Sequence, residues 1–192
     1  MTLKARIGGA VIGAALVLLA SGAAAETEDP GYTPVPVIKG MSLLAAGTAA
    51  PAFVVRDVEG QEFDFGVEMK QRAHLIVFWS IFCEPCREEM PVIERVVNEY
   101  RDSGKLGVLA VNMDGEPFVE GIRGFLKQYK YTIRVLLDDL RGDQFAVADP
   151  YQVAGTPVLY LVDATGTVRG SHLGRIGEGD LKALISAMFE TP

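Results

Sequence analysis

Cysteine is almost missing from this chain: two in 192 residues, Cys83 and Cys86. With only those thiols, and with His74 and His172 far off in sequence, the four-ligand set of a structural zinc site has no obvious source. Two cysteines this close enclose almost no loop, so a purely stabilising disulfide is a poor reason for keeping them. Positive charge is also scarce. Eighteen Lys and Arg against 25 Asp and Glu leave a formal net charge of −7, and no Lys/Arg-rich run offsets it. A polyanion is repelled on average, so no nucleic acid is expected as a partner. No internal repeat is present. What remains is 49% hydrophobic and 22% charged, a globular mixture able to bury one packed core.

The start of the chain differs in kind. Lys4 and Arg6 precede an apolar run from Ile7 to Ala20, followed by Ser-Gly-Ala-Ala-Ala with Ala23-x-Ala25 at its end. That is the pattern of a secretory signal peptide. Counting residues 7–25, the run approaches the ~20 residues of a spanning helix, so an uncleaved membrane anchor is the alternative. Either way the following domain is exported, to a periplasmic or other extracytoplasmic setting where disulfides persist. Residues 26–47, rich in Pro, Gly, Ala and Thr, read as a flexible tether. Residues 48–192 read as one domain.

Within that domain Phe53–Arg56 and Glu62–Phe65 form an N-terminal β-hairpin around Val-Glu-Gly. His74–Trp79 is a continuous apolar run and predicts a buried central strand. A helix is predicted from near Cys83 to Arg101, with Met90, Ile93, Val96, Val97 and Tyr100 at helical spacing. Pro91 lies inside it, where a proline kinks a helix. Strands are predicted over Leu106–Val111 and Arg134–Leu137, helices over Phe118–Tyr129 and Glu178–Phe189, and a short helix over Asp143–Ala148. Val158–Val162 and Thr167–Ser171 form a second hairpin across Asp-Ala-Thr-Gly. Alternating strands and helices followed by a hairpin predict an α/β fold: one mixed sheet, helices on both faces.

The paired cysteines sit where the central strand hands over to a helix. A helix start has free N–H groups and a partial positive charge, which favour a thiolate. Cys83, at the junction, is the expected exposed nucleophile. Cys86, one turn on and pointing inward, is the expected resolving thiol. Pro85 between them suits a first helical turn. The alternatives are an incidental pair or half of a metal site.

These residues resemble the thioredoxin fold and, within it, the TlpA/ResA-like exported thiol–disulfide oxidoreductases. The resemblance runs from about Thr48 to Phe189. It is carried by Phe78-Trp79 before Cys83-Glu-Pro-Cys86, by Pro91, and by Gly155-Thr156-Pro157 before Leu161-Val162-Asp163. It implies a three-layer sandwich. It also implies a cis proline at Pro157 facing the cysteines, leaving the Thr156 backbone to pair with an extended partner. Thioredoxins carry a buried Asp in the central strand, where this chain has Val77. The TlpA/ResA-like proteins place a Glu three residues after the second cysteine, which Glu89 matches. On the same helix face as Cys86, a buried Glu89 can exchange a proton with it; the plainer reading is a solvated surface glutamate beside Glu88. Phe82 stands where the family usually has Trp. The expected substrate-contacting set is Trp79, Phe82, Glu84, Pro85, Thr156 and Pro157, with Trp79 also read as a core aromatic. His74 and His172 are expected to be structural or surface residues.

No cofactor is expected beyond the redox-active Cys83–Cys86 pair, and no metal. An acid at Glu84 opposes the Cys83 thiolate and points to a reductant. The resemblance implies protein thiols and disulfides of exported proteins as substrates, such as apocytochrome c or copper-site assembly proteins of an oxidase. It also implies a membrane thiol donor of the CcdA/DsbD type. Two rival readings are a copper-delivery module using Cys83, Cys86 and a histidine, and a peroxiredoxin-like peroxidase. The peroxidase family favours a Thr three residues before the nucleophile, where this chain has Ser80.

Overall fold

The structure is a computed structural model and describes residues 42–101 and 103–190. The expected signal or anchor at residues 1–25 and the first part, residues 26–41, of the tether expected over 26–47 lie outside the described residues. Among the described residues no helix is long and apolar enough to cross a membrane.

The apolar run becomes strand β3, Ala73–Trp79, buried at all seven positions. A strand so uniformly apolar needs cover on both faces, and the sheet provides it. Five strands lie in the order β5–β4–β3–β8–β9. Strand β4 (Leu106–Asn112) runs parallel to β3, and β5 (Arg134–Leu137) parallel to β4. Strand β8 (Val158–Val162) returns antiparallel beside β3, and β9 (Val168–Leu173) antiparallel beside β8.

Alternate residues of β3 feed different cores, as a period of two requires. Leu75, Val77 and Trp79 join Met90, Ile93 and Val97 of helix α2 (Glu84–Arg101), Ile122 of α3 (Val119–Tyr129) and Leu181 and Ile185 of α4 (Glu178–Glu190). Ile76 and Phe78 join Val55 of β1 (Val54–Arg56), Phe63 of β2 (Glu62–Asp64), Phe65 of α1 (Phe65–Glu68), Tyr151 and Val153. The expected three-layer α/β sandwich and N-terminal hairpin are both present. Among the described residues the helices divide unequally: three long ones on one face, and only the four-residue α1 on the other.

Three expectations need correction. The domain does not wait for residue 48. Leu43 and Leu44 pack against the second core, the Leu44 N–H donates to the Tyr160 hydroxyl at 3.0 Å, and the Gly47 N–H donates to the Val168 carbonyl at 2.8 Å. Phe65 ends no strand; Asp64 caps α1 by accepting the Val67 N–H at 3.2 Å. The short helix expected over Asp143–Ala148 is instead a ribbon followed by turns. Strands β6 (Leu140–Arg141) and β7 (Gln144–Phe145) close around Gly142, whose φ of +69° favours glycine. Asp138, buried, then accepts the Val147 N–H at 2.9 Å and the Ala148 N–H at 2.7 Å. A carboxylate that takes successive backbone donors offers them an alternative to helix.

Candidate active site

Helix α2 begins at Glu84, so Cys83 occupies its N-cap. The Cys83 carbonyl accepts the Arg87 N–H at 3.1 Å, opening the helical ladder. The Cys83 sulfur accepts the Cys86 N–H at 3.2 Å. A side-chain acceptor taking the third helical N–H is the usual N-cap arrangement, with sulfur here in place of oxygen. The two cysteines are joined as a disulfide with Cα atoms 5.2 Å apart. Cys83 is half-buried and Cys86 is fully buried in the first core. Pro85 falls in the first turn, where its missing N–H costs no hydrogen bond.

The opposite wall is the turn before β8. The Thr156–Pro157 bond is cis, and the Thr156 carbonyl oxygen lies 3.6 Å from the Cys83 sulfur. Sheet register brings them together. Phe78 of β3 pairs with Val158 of antiparallel β8, so the end of one strand sits beside the start of the other.

Glu89 lies one turn beyond Cys86 and is only 2% exposed. Its Oε1 accepts the Ile176 N–H at 2.7 Å, while Oε2 has no hydrogen-bond partner among the described residues. Burial raises its pKa from 4.5 to about 7, against the lowering effects of the Ile176 N–H and the nearby Arg175 guanidinium. The plainer reading of Glu89 as a solvated surface residue is therefore wrong. Glu88 and Glu84 are the exposed ones.

Of the expected partner-contacting residues, Phe82 is 67% exposed and meets the exposed Phe118 edge to face, centroids 5.1 Å apart. Glu84, Pro85 and Thr156 reach the surface to differing degrees. Trp79 does not. It is fully buried against Phe125 at 5.5 Å, so it supports the loop from beneath and has no surface for a partner. His74 is buried beside Glu68 at 3.7 Å, and burial lowers its pKa. His172 meets the Arg175 carbonyl through Nε2 at 2.9 Å. Among the described residues no group of three or more His, Cys, Asp or Glu is placed to hold a metal ion.

Two groups escape a reading of the sequence. Asp114 accepts the Ser80 hydroxyl at 2.6 Å, the Ile81 N–H at 2.8 Å and the Asn112 amide at 3.0 Å. Ser80 in turn accepts the Phe82 N–H at 3.0 Å, and its carbonyl accepts the Cys83 N–H at 3.2 Å. The whole approach to Cys83 thus hangs on one carboxylate. A signal for it does exist: Asn112 ends and Asp114 follows a strand parallel to β3, and parallel neighbours bring their C-terminal ends to one edge. The second group is Arg175, which pairs with Glu88 at 3.0 Å. A loop arginine carries no such signal.

Comparison with known proteins agrees with this geometry. Residues 45–185 match the Redoxin family. The chain is 32% identical over 139 residues to the thiol–disulfide oxidoreductase ResA of Geobacillus thermodenitrificans, covering 72% of this chain and 75% of that protein. It is 30% identical over 137 residues to the thioredoxin-like protein YneN of Bacillus subtilis, covering 71% and 76% respectively. Among solved structures it resembles a putative thiol:disulfide interchange protein DsbE from Chlorobium tepidum, with a TM-score of 0.65 and 26% identity over 76% of this chain and 98% of that one.

Proposed function

The chain belongs to the Redoxin family and is a thiol–disulfide oxidoreductase, and from that premise we propose that it is an exported reductant of cysteine pairs in other extracytoplasmic proteins. The observation that carries the reading is the Cys83 sulfur capping helix α2 beside the Thr156 carbonyl, with Glu89 buried one turn beneath. In the dithiol form the same Cys86 N–H stabilises a thiolate at Cys83. That thiolate attacks one sulfur of a partner disulfide. The partner's S–S bond breaks, a mixed disulfide forms, and the partner's other sulfur leaves as a thiolate and takes up a proton. Cys86 then loses its proton to the Glu89 carboxylate and attacks the Cys83 sulfur. The mixed disulfide breaks, Cys83–Cys86 closes, and the partner departs as a dithiol. Two electrons have passed to the partner.

Roles follow for the surrounding residues. Thr156 offers its backbone to an extended partner segment, Pro157 shapes that turn, and Phe82 and Pro85 give apolar contact. Glu84 places a negative charge near the nucleophile, which makes the disulfide a weaker oxidant. A membrane thiol donor of the CcdA/DsbD type resupplies electrons. Apocytochrome c cysteines and oxidase copper-site assembly proteins are the substrates favoured by the kinship to ResA.

The test has two arms. A Cys86→Ser chain exposed to extracytoplasmic proteins should retain its partner as a mixed disulfide through Cys83, and mass spectrometry then names it. The reduction potential of the Cys83–Cys86 couple should lie well below that of a strong periplasmic oxidant; a value near about −120 mV rules out a reductant.

A further inference from the structure

The strap between β9 and α4, residues 174–177, is tied to its surroundings at each end and in the middle. The Gly174 N–H donates to the Pro157 carbonyl at 2.9 Å. The Arg175 carbonyl meets His172 Nε2 at 2.9 Å, and the Ile176 N–H donates to Glu89 Oε1 at 2.7 Å. The Arg175 side chain then turns toward α2, where Nη1 lies 3.0 Å from Glu88 Oε2. Arg175 thus sits against the exposed carboxylate that neighbours Glu89 on the same helix. It pairs directly with the exposed Glu88, and its field lowers the charging cost of the buried Glu89.

We propose that Arg175 is a positioning residue for thiol exchange: with Glu88 it forms an adjustable counter-charge that sets when Glu89 can take the proton of Cys86. The proposal rests on Glu89 being the proton acceptor for Cys86. Its physical basis is the shortage of other help at that carboxylate. Among the described residues the buried Oε2 has no partner, so the ionised form has a single hydrogen bond, at Oε1. The first core around Cys86 and Met90 is apolar. On its own helix Glu89 has Cys86 and Glu88 for neighbours. From β9, His172 is directed at the Arg175 carbonyl. At the start of α4, Glu178 is engaged by Arg95 at 3.2 Å and Lys182 at 2.9 Å. Of these groups Arg175 alone supplies Glu89 with a cation, and the proposal is that the Glu88 pair at 3.0 Å governs how much of it Glu89 feels.

The two ends of this ion pair must then act in opposite senses. Arg175→Gln removes the cation, and Glu89 holds its proton to higher pH. Glu88→Gln removes an anion and releases Arg175 toward Glu89, which gives up its proton at lower pH. A tie that merely fastens the strap would respond alike to both. Arg175 and Glu88 have side chains 30% and 52% exposed, so neither change empties a core site.

The oxidised full chain allows a clean titration, because its cysteines are locked in the disulfide. Carbon-13 NMR of the Glu89 carboxyl should show the midpoint rise by about half to one pH unit in Arg175→Gln and fall by about as much in Glu88→Gln. In Arg175→Lys it should stay near the wild-type value. The dithiol form, oxidised by glutathione disulfide and followed through the single tryptophan, Trp79, should show a rate limb that moves with those midpoints and disappears in Glu89→Gln. Midpoints that shift in one direction for both Gln variants, or not at all, overturn the shared-cation proposal. Midpoints that split as expected beside a rate limb surviving in Glu89→Gln show instead that the proton-acceptor reading has failed, and control of Cys86 falls with it.

Discussion

Replacing Glu89 by Gln should stabilise the oxidised protein, and should do so only where the native carboxyl is forced to ionise. Burial raises the folded pKa from 4.5 to about 7. A carboxyl easier to protonate folded than unfolded contributes most stability below the unfolded value. The contribution is lost as pH rises between about 4.5 and about 7, and nothing of it remains above. At about 1.36 kcal/mol per pH unit, that rise is worth roughly 3 kcal/mol. Gln keeps an oxygen for the Ile176 N–H and never needs to ionise. At about pH 8 the variant should therefore gain roughly 3 kcal/mol over wild type relative to about pH 4.5, or roughly 6–12 °C in Tm for a domain of this size. Thermal unfolding of both oxidised chains at half-unit pH steps measures the difference. Comparing the two cancels Asp138, a second buried carboxyl raised to about 6 that weakens wild type and variant alike. Parallel curves for the two proteins across that range would mean that Glu89 ionises as freely folded as unfolded, and that burial does not poise this carboxyl near neutral pH.

Other outcomes follow from the same geometry. Asp114→Ala removes three acceptor contacts from the loop before Cys83, and should lower unfolding stability by about 1–3 kcal/mol in urea while slowing disulfide exchange with glutathione disulfide. Asp138→Ala strands the Val147 and Ala148 N–H groups; it should cost about 2–4 kcal/mol by denaturant titration and leave the Cys83–Cys86 reduction potential within error of wild type. Phe82→Ala, at a site 67% exposed, should leave Tm within about 2 °C but reduce kcat/KM several-fold toward a protein disulfide and little toward glutathione disulfide.

What is legible in the sequence and what is hidden divide along a physical line. The runs His74–Trp79 and Val158–Val162 are long, apolar and bounded by turn residues, and a central strand has few other shapes open to it. The cysteine pair and Glu89 lie within one helical segment, so their relation follows from turn geometry. Hidden is whatever depends on contacts between distant segments. The 143–148 segment has helical composition, but the Asp138 carboxylate captures its N–H groups and holds it in turns. Leu43 and Leu44 stand in a stretch that reads as linker, and they are fixed only because Tyr160 and the second core await them. Trp79 adjoins the reactive loop along the chain and so reads both as a partner contact and as a core aromatic, and only the second holds. Strand alternation sends it to the core instead, against Phe125.

The antiparallel pairing of β3 with β8 has a corollary for how such a protein can diversify. The cysteines and Pro157 are far apart along the chain, yet hydrogen bonds between two adjacent strands hold them at one edge. The intervening polypeptide, including α3 and the small β6–β7 ribbon, does not set that spacing. Insertions or deletions there can remodel the rim against which a client rests while the sulfur-to-proline distance stays fixed. Lineages can therefore acquire new clients by trading loops, and leave the reacting atoms where they were.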